Sequence, residues 1–132
     1  MTTPTELVKQ FNTAFSEKNE TAVRAILHPN YTASCSMSKV NGPEEAIAML
    51  KECPFDCHNE NSIFVTEGNS VAHFFDWVVE APFRGRYRVA QYVTLKDGKV
   101  LSAEMFYDTG ALPKEVQEQM AQMKQQKQAA LV

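Results

Sequence analysis

No stretch of the 132-residue sequence approaches the ~18 consecutive apolar residues that a membrane-spanning helix needs, so no transmembrane span is expected. The first residues show no basic segment followed by an apolar core, so no secretory leader is expected either. Basic charge is also short. Thirteen Lys and Arg against 16 Asp and Glu leave a net charge of −3, which argues against a nucleic-acid-binding face. Cysteine is scarce and odd in number; three residues suit a reducing, cytoplasmic setting better than a secreted disulfide framework. Cys53-Pro54-Phe55-Asp56-Cys57-His58 gathers three possible metal ligands, one short of a structural zinc set, so no metal is expected. A labile Cys53–Cys57 disulfide is the other reading of that segment. There is no internal repeat and no linker long enough to divide the chain. A chain of this mass buries roughly two thirds of its unfolded surface, which is enough for one unaided core.

The patterning that is present begins with helices. Thr3-Pro4-Thr5-Glu6 carries a capping residue, a proline suited to the first turn and the acid of a capping box. Leu7, Val8, Phe11, Ala14 and Phe15 follow at spacings of three and four. Asn19 caps a short second helix bearing Ala22, Val23, Ile26 and Leu27, and His28-Pro29 stops it. From Tyr31 the period changes to two: Tyr31, Ala33, Cys35 and Met37 alternate with Thr32, Ser34, Ser36 and Ser38. Asn41-Gly42-Pro43-Glu44-Glu45 leads into a third helix. Strands are then expected over His58–Glu67, Ser70–Ala81, Arg86–Lys96 and Lys99–Asp108, the last two joined by an Asp97-Gly98 hairpin turn. A final helix is expected over Pro113–Leu131, with Val116, Met120 and Met123 on one stripe. Helices at one end and consecutive antiparallel strands at the other describe an α+β layer fold.

Alternation sorts the strand side chains by face. Val71, His73, Phe75, Trp77 and Val79, then Tyr87, Val89, Gln91, Val93 and Leu95, then Leu101, Ala103, Met105 and Tyr107, are nearly free of charge and should face the helices. The opposite set mixes Phe74, Val78, Tyr92 and Phe106 with Asp76, Arg88 and Glu104. Apolar residues laced with opposite charges suit a protein–protein surface, so a homodimer through this outer face is expected. A monomer with singly scattered aromatics is the alternative.

The opening Leu7-Val8-Lys9-Gln10-Phe11, the Asn19–Asn30 helix and stop, Gly42-Pro43-Glu44-Glu45-Ala46-Ile47 and the closing Asp97-Gly98-Lys99-Val100 to Phe106-Tyr107-Asp108 resemble the nuclear transport factor 2-like superfamily. Within it, they are similar to SnoaL-like and ketosteroid-isomerase-like proteins. The resemblance covers about Leu7 to Asp108. It implies a cystatin-like cone, with N-terminal helices packed on a curved, mostly antiparallel sheet around an apolar pocket, plus a C-terminal helix. Residues 1–112 would form the single SnoaL-like domain and 113–132 a helical extension. Family members include isomerases, cyclases, dehydratases, epoxide hydrolases and proteins that only bind. The isomerases' donor tyrosine falls at Phe11, their base aspartate near Cys35 and their protonated aspartate near Gln91. The cyclases' acid/base aspartate falls near Met105. None of these four residues supplies a carboxylate, so both mechanisms are disfavoured.

The expected ligand-binding set is Phe11, Phe15, Cys35, Phe75, Trp77, Tyr87, Val89, Gln91, Ala103, Met105 and Tyr107: an apolar lining with a few hydrogen-bonding groups. His73 and Tyr107 are the candidates for acid–base chemistry of a dehydratase kind. A core histidine bonded to its neighbours, and packed tyrosine rings, are the structural alternatives. Cys35 reads as a thiol nucleophile or as a small buried residue. Arg84 and Arg86 could clamp an anion, or the cluster with Arg88 could be solvated and paired with Asp76 or Glu104 across strands. Two functions follow. The first is a pocket protein that binds, and could transform, a small apolar molecule without a cofactor. The second is a non-catalytic dimerisation or interaction module.

Overall fold

The computed structural model describes residues 2–35 and 38–118. Helix α1 spans Pro4–Ser16 and starts with the expected capping box: the Glu6 amide donates to the Thr3 hydroxyl at 3.2 Å, and the Thr3 amide donates back to the Glu6 carboxylate. Helix α2, Glu20–Ile26, is capped by the Asn19 side chain, which accepts from the Ala22 amide at 3.1 Å. Strand β1 runs Leu27–Ser34 and the short strand β2 Lys39–Asn41. Helix α3 spans Gly42–Glu52, with proline in its first turn. Strands β3 (Asp56–Glu67), β4 (Ser70–Ala81), β5 (Gly85–Lys96) and β6 (Lys99–Phe106) follow, and a single 3₁₀ turn spans Thr109–Ala111.

The six strands form one sheet in the order β2-β1-β6-β5-β4-β3. Strands β3 to β6 are an antiparallel meander, and β1 joins β6 in parallel, leaving β2 and β3 as the two edges of an open sheet. The core gathers Val8, Phe11 and Ala14 of α1, Val23 and Ile26 of α2, and Ala46, Ile47 and Leu50 of α3. These pack over Val71, Val93, Leu95, Val100 and Ala103 of the sheet. The α+β architecture and the helix-covered face are as the sequence implies.

Four local expectations are corrected. The first strand begins at Leu27, not Tyr31, and its pairing with β6 is irregular between Leu27 and Thr32 around Pro29, which has no amide proton to donate. The short β2 pairs with β1 at Thr32–Asn41, Ala33–Val40 and Ser34–Lys39; a three-residue strand is too brief to show a period. In β6 a register shift opposite Thr94 and Leu95 turns Val100, not Leu101, fully inward. The last strand ends at Phe106, so Tyr107 follows it. Of the expected C-terminal helix, residues 114–118 are helical and Val116 is buried; Met120 and Met123 lie outside the described residues, as does Met37.

Candidate functional site

The inner face of the sheet changes character along its length. On β4, Val71, His73 and Phe75 are buried, whereas Trp77 is half-buried. On β5, Val93, Gln91 and Val89 are buried and Tyr87 is half-buried. On β6, Ala103 is buried and Met105 half-buried, with Tyr107 just beyond it. Helices therefore fill one end of the concave face; toward the other, Trp77, Tyr87 and Met105 retain exposed surface, while Val79, beyond Trp77, is buried again. Trp77 and Tyr87 are cross-strand partners with ring centroids 5.9 Å apart. Phe55 stands edge-on to Trp77 at 5.3 Å, and Phe83 packs against Phe55 at 5.9 Å and Tyr87 at 6.4 Å. Sequence reasoning placed Trp77 and Tyr87 here but missed Phe55 and Phe83, which come from loops where alternation gives no signal. Cys57 sits beside this group, and burial raises its thiol pKa while a hydrogen bond with Trp77 opposes the rise.

Tyr107, Cys35 and Ser38 form a polar chain at the same end: the Tyr107 hydroxyl donates to Cys35 Sγ at 3.6 Å, and Cys35 Sγ lies 3.3 Å from Ser38 Oγ. Burial, reinforced by Cys35, pushes the Tyr107 hydroxyl well above the ordinary tyrosine range, so it remains a proton donor at neutral pH. Phe11 and Phe15 pack edge to face at 5.0 Å, Phe11 within the main core and Phe15 against it.

His73 is held differently. Its ring is 1 % exposed and lies between Phe64, stacked at 4.2 Å, and Phe75 at 4.4 Å. Nδ1 is 3.2 Å from the Asn12 amide and 3.3 Å from Gln91 Oε1, and Nε2 is 2.8 Å from Ser62 Oγ. Burial lowers its pKa, and the Gln91 hydrogen bond only partly opposes this, so the imidazole is neutral at pH 7. Gln91 thus bonds His73 directly, a contact the sequence does not reveal. Tyr107 bonds to Cys35 instead of to this group.

The outer face carries the other expected set. Asp76 accepts from Asn61 at 2.8 Å and from Arg86 and Arg88 at 3.1 Å, and Arg86 also reaches Glu60 at 3.1 Å. The Asn61 amide and these guanidiniums hold the Asp76 carboxyl below its usual range. The expected Asp76–Arg88 cross-strand pair is present, and Arg86 is engaged in the same network. One row away, Ile63, Phe74, Ala90 and Phe106 are register partners across four successive strands. Of these, Ile63 and Phe106 are each 54 % exposed and Phe74 is 39 % exposed. A separate open groove of about 650 Å³ lies between α1, α2 and the β5–β6 turn, lined by Leu7, Lys9, Thr13, Ala22, Ile26 and Lys99. No aromatic side chain lines it, whereas the concave face of the sheet gathers several. Among the described residues no cluster of three or more His, Cys, Asp or Glu is arranged to hold a metal ion. Nor is any helix among them long and apolar enough to cross a membrane.

A family model described as SnoaL-like domain matches residues 8–103. No curated protein matches the chain. Among solved structures, an NTF2-like protein of unknown function from Cytophaga hutchinsonii superposes with TM-score 0.71 at 20 % identity, covering 82 % of this chain and 92 % of that one. An LEH-like epoxide hydrolase of M. tuberculosis gives TM-score 0.73 at 15 % identity, over 81 % and 84 % of the two chains. TerC, co-crystallised with polyporic acid, gives 0.71 at 15 % identity, over 82 % and 93 %. At such identities the likeness is one of fold.

Proposed function

The chain belongs to the SnoaL-like family, and from that premise we propose that it binds a small, mostly apolar molecule at the open end of its concave face. The observation that carries this reading is the change in burial along the inner face. Phe75, Val89 and Ala103 are sealed, but Trp77, Tyr87 and Met105, next along the same faces, are not. Partly exposed rings beside a built-in donor, Tyr107, suit a flat apolar ligand with one acceptor oxygen. TerC, of the same fold, was crystallised with an organic acid. Cys35, Gln91 and Met105 offer no carboxylate where the isomerases and cyclases use one, and Phe11 offers no hydroxyl in place of the isomerases' tyrosine, so the reading is of binding first. Tyr107 would polarise a bound carbonyl by turning its hydroxyl from Cys35 to the ligand.

Trp77 is the single tryptophan of the chain, so intrinsic fluorescence reports on this site alone. Titration with ring compounds, polyporic acid among them, should give a saturable change in Trp77 emission. Tyr87→Ala should weaken binding about tenfold, in line with the loss of one well-placed aromatic contact worth roughly 1.5 kcal/mol. A flat titration with every ring compound, together with no small molecule extracted from the purified protein, would overturn the reading.

The second part of the reading is a homodimer through the outer face. It is carried by the Ile63–Phe74–Ala90–Phe106 row, a continuous apolar band flanked by the Glu60–Asp76–Arg88 row, two acids and an arginine. Self-complementary charge beside an apolar band is what a two-fold interface requires.

A further inference from the structure

We propose that Ser62 is a nucleophile activated by His73, and that together with Gln91 they form an acyl-transfer site for small activated carboxylic esters, separate from the aromatic site described above.

The placement of Ser62 results from a bulge. Glu60 pairs with Asp76 and Ile63 with Phe74, so two residues, Asn61 and Ser62, stand opposite Phe75 alone. In a regular ladder Ser62 would pair with Phe74 and point to the outer face. The inserted residue, Asn61, takes a left-handed conformation (φ 53°) and turns its amide outward to Asp76 at 2.8 Å. Ser62 is thereby turned inward, and its Oγ meets His73 Nε2 at 2.8 Å. Backbone strain at a bulge that re-aims one hydroxyl onto one imidazole is a feature of built sites.

The rest of the pair is set by the core. Phe64 and Phe75 clamp the imidazole plane, and Gln91, its cross-strand partner, fixes the ring from the other nitrogen. Gln91 Oε1 has no hydrogen, so at 3.3 Å it accepts from Nδ1–H, which leaves Nε2 bare toward the serine. Asn12 Nδ2 also lies 3.2 Å from Nδ1; exchanging the two ends of that amide, which are alike in shape, turns its oxygen to Nδ1–H in the tautomer this site requires. Nucleophile, base and orienting group are thus in series. Ser62 itself is exposed, and β3 is an edge strand, so a substrate reaches Oγ without crossing the core.

The chemistry balances with an ester and water. As Ser62 Oγ bonds to the carbonyl carbon, its proton passes to His73 Nε2. The ester C–O bond breaks, and the imidazolium returns the proton to the departing alcohol. Water then repeats the sequence on the acyl-serine, releasing a carboxylic acid and restoring the hydroxyl. A buried imidazole that resists protonation favours substrates with good leaving groups, such as aryl esters, whose departure needs little help from an acid.

The test uses a fluorophosphonate, which stops at the first step, and 4-nitrophenyl acetate, which does not. Peptide mass spectrometry should locate the phosphonate on Ser62, and release of nitrophenol should fall about a hundredfold in both Ser62→Ala and His73→Gln. An unmodified Ser62 in folded protein overturns the proposal. Should His73→Gln fail to fold, long-range ¹⁵N–¹H NMR of the unaltered protein decides instead. A neutral ring protonated at Nδ1 with a bare Nε2 supports the site, and the Nε2–H tautomer overturns it.

Discussion

Protonating His73 means placing a charge in a pocket sealed by two phenyl rings, with only neutral amides and a hydroxyl to receive its hydrogens. Its folded pKa therefore lies below the ordinary 6.5. As pH falls, the unfolded chain takes up this proton before the folded chain does. The contribution of His73 to stability is complete above about pH 6.5 and declines below it, toward the folded value, by at most ~1.4 kcal/mol per pH unit. The lowered carboxyls of Glu60 and Asp76 start from reference values of 4.5 and 3.8, so their losses come at more acid pH. Urea denaturation at a series of pH values should show this decline between about pH 6.5 and 5, and His73→Gln should flatten that interval. An unchanged slope in the variant would assign the loss elsewhere. Phe75 is the most consequential neighbour: it is 1 % exposed and closes one face of the imidazole. Phe75→Ala is expected to cost about 3–5 kcal/mol by equilibrium unfolding, and to loosen His73 at the same time.

At the scale of an element, β5 shows how strand geometry shapes the site. A Cβ built at Gly85 would collide with the hydroxyl end of the Tyr87 ring, which lies back over that glycine on the same face of the strand. The backbone there is not left-handed; the glycine is needed for space alone. Gly85→Ala should therefore leave the hairpin paired but turn Tyr87 away from Trp77, shifting Trp77 emission and weakening ligand binding as Tyr87→Ala does. An unaltered spectrum and affinity would show that Tyr87 is dispensable to the site. The β5–β6 turn is the contrasting case, where Asp97 (φ 54°) and Gly98 (φ 72°) both need positive φ. The Asp-Gly dipeptide announces that need in the sequence. The meander was legible for the same kind of reason. Period-two alternation over Ser70–Ala81 put Val71, His73 and Phe75 inside and Phe74 outside, and the coordinates agree. What alternation does not carry is a change of phase. The bulge at Asn61 and Ser62 and the shift at Val100 and Leu101 each insert one residue with no mark in composition, so Ser62 and Val100 were not seen to face inward. The Asn12–His73 contact spans 61 residues between a helix and a strand, and no local pattern encodes such a pairing.

For the whole molecule, the question is what covers the outer face of the sheet. Phe106, Tyr92 and Phe74 are 54 %, 41 % and 39 % exposed, and Ile63 and Val65 add 54 % and 58 % on β3. Singly exposed apolar residues are common on monomers, but here Ile63, Phe74, Ala90 and Phe106 lie side by side in register across four strands. The Tyr92 hydroxyl donates to Ser70 at 3.0 Å, so its ring is fixed on this face and adds area at little entropic cost. A two-fold axis through the band would lay apolar row on apolar row and set Asp76 with its arginines near their own copies. Phe106→Glu is the sharpest probe. The side chain is more than half exposed in the single chain, so the monomer should lose little stability, within about 0.5 kcal/mol. In a dimer the same change would put an unpaired carboxylate at the apolar centre of the interface, at a cost of several kcal/mol and so a loosening of at least a hundredfold. Sedimentation equilibrium at micromolar concentration should therefore give twice the chain mass for the unaltered protein and one chain mass for the variant, with similar urea midpoints extrapolated to low concentration. A single-chain mass for the unaltered protein would remove the dimer and leave the band to be explained as bare surface. Because Trp77 and Ser62 are reached from the inner face and the sheet edge, ligand binding and serine modification should survive the substitution unchanged, which separates assembly from chemistry in this fold.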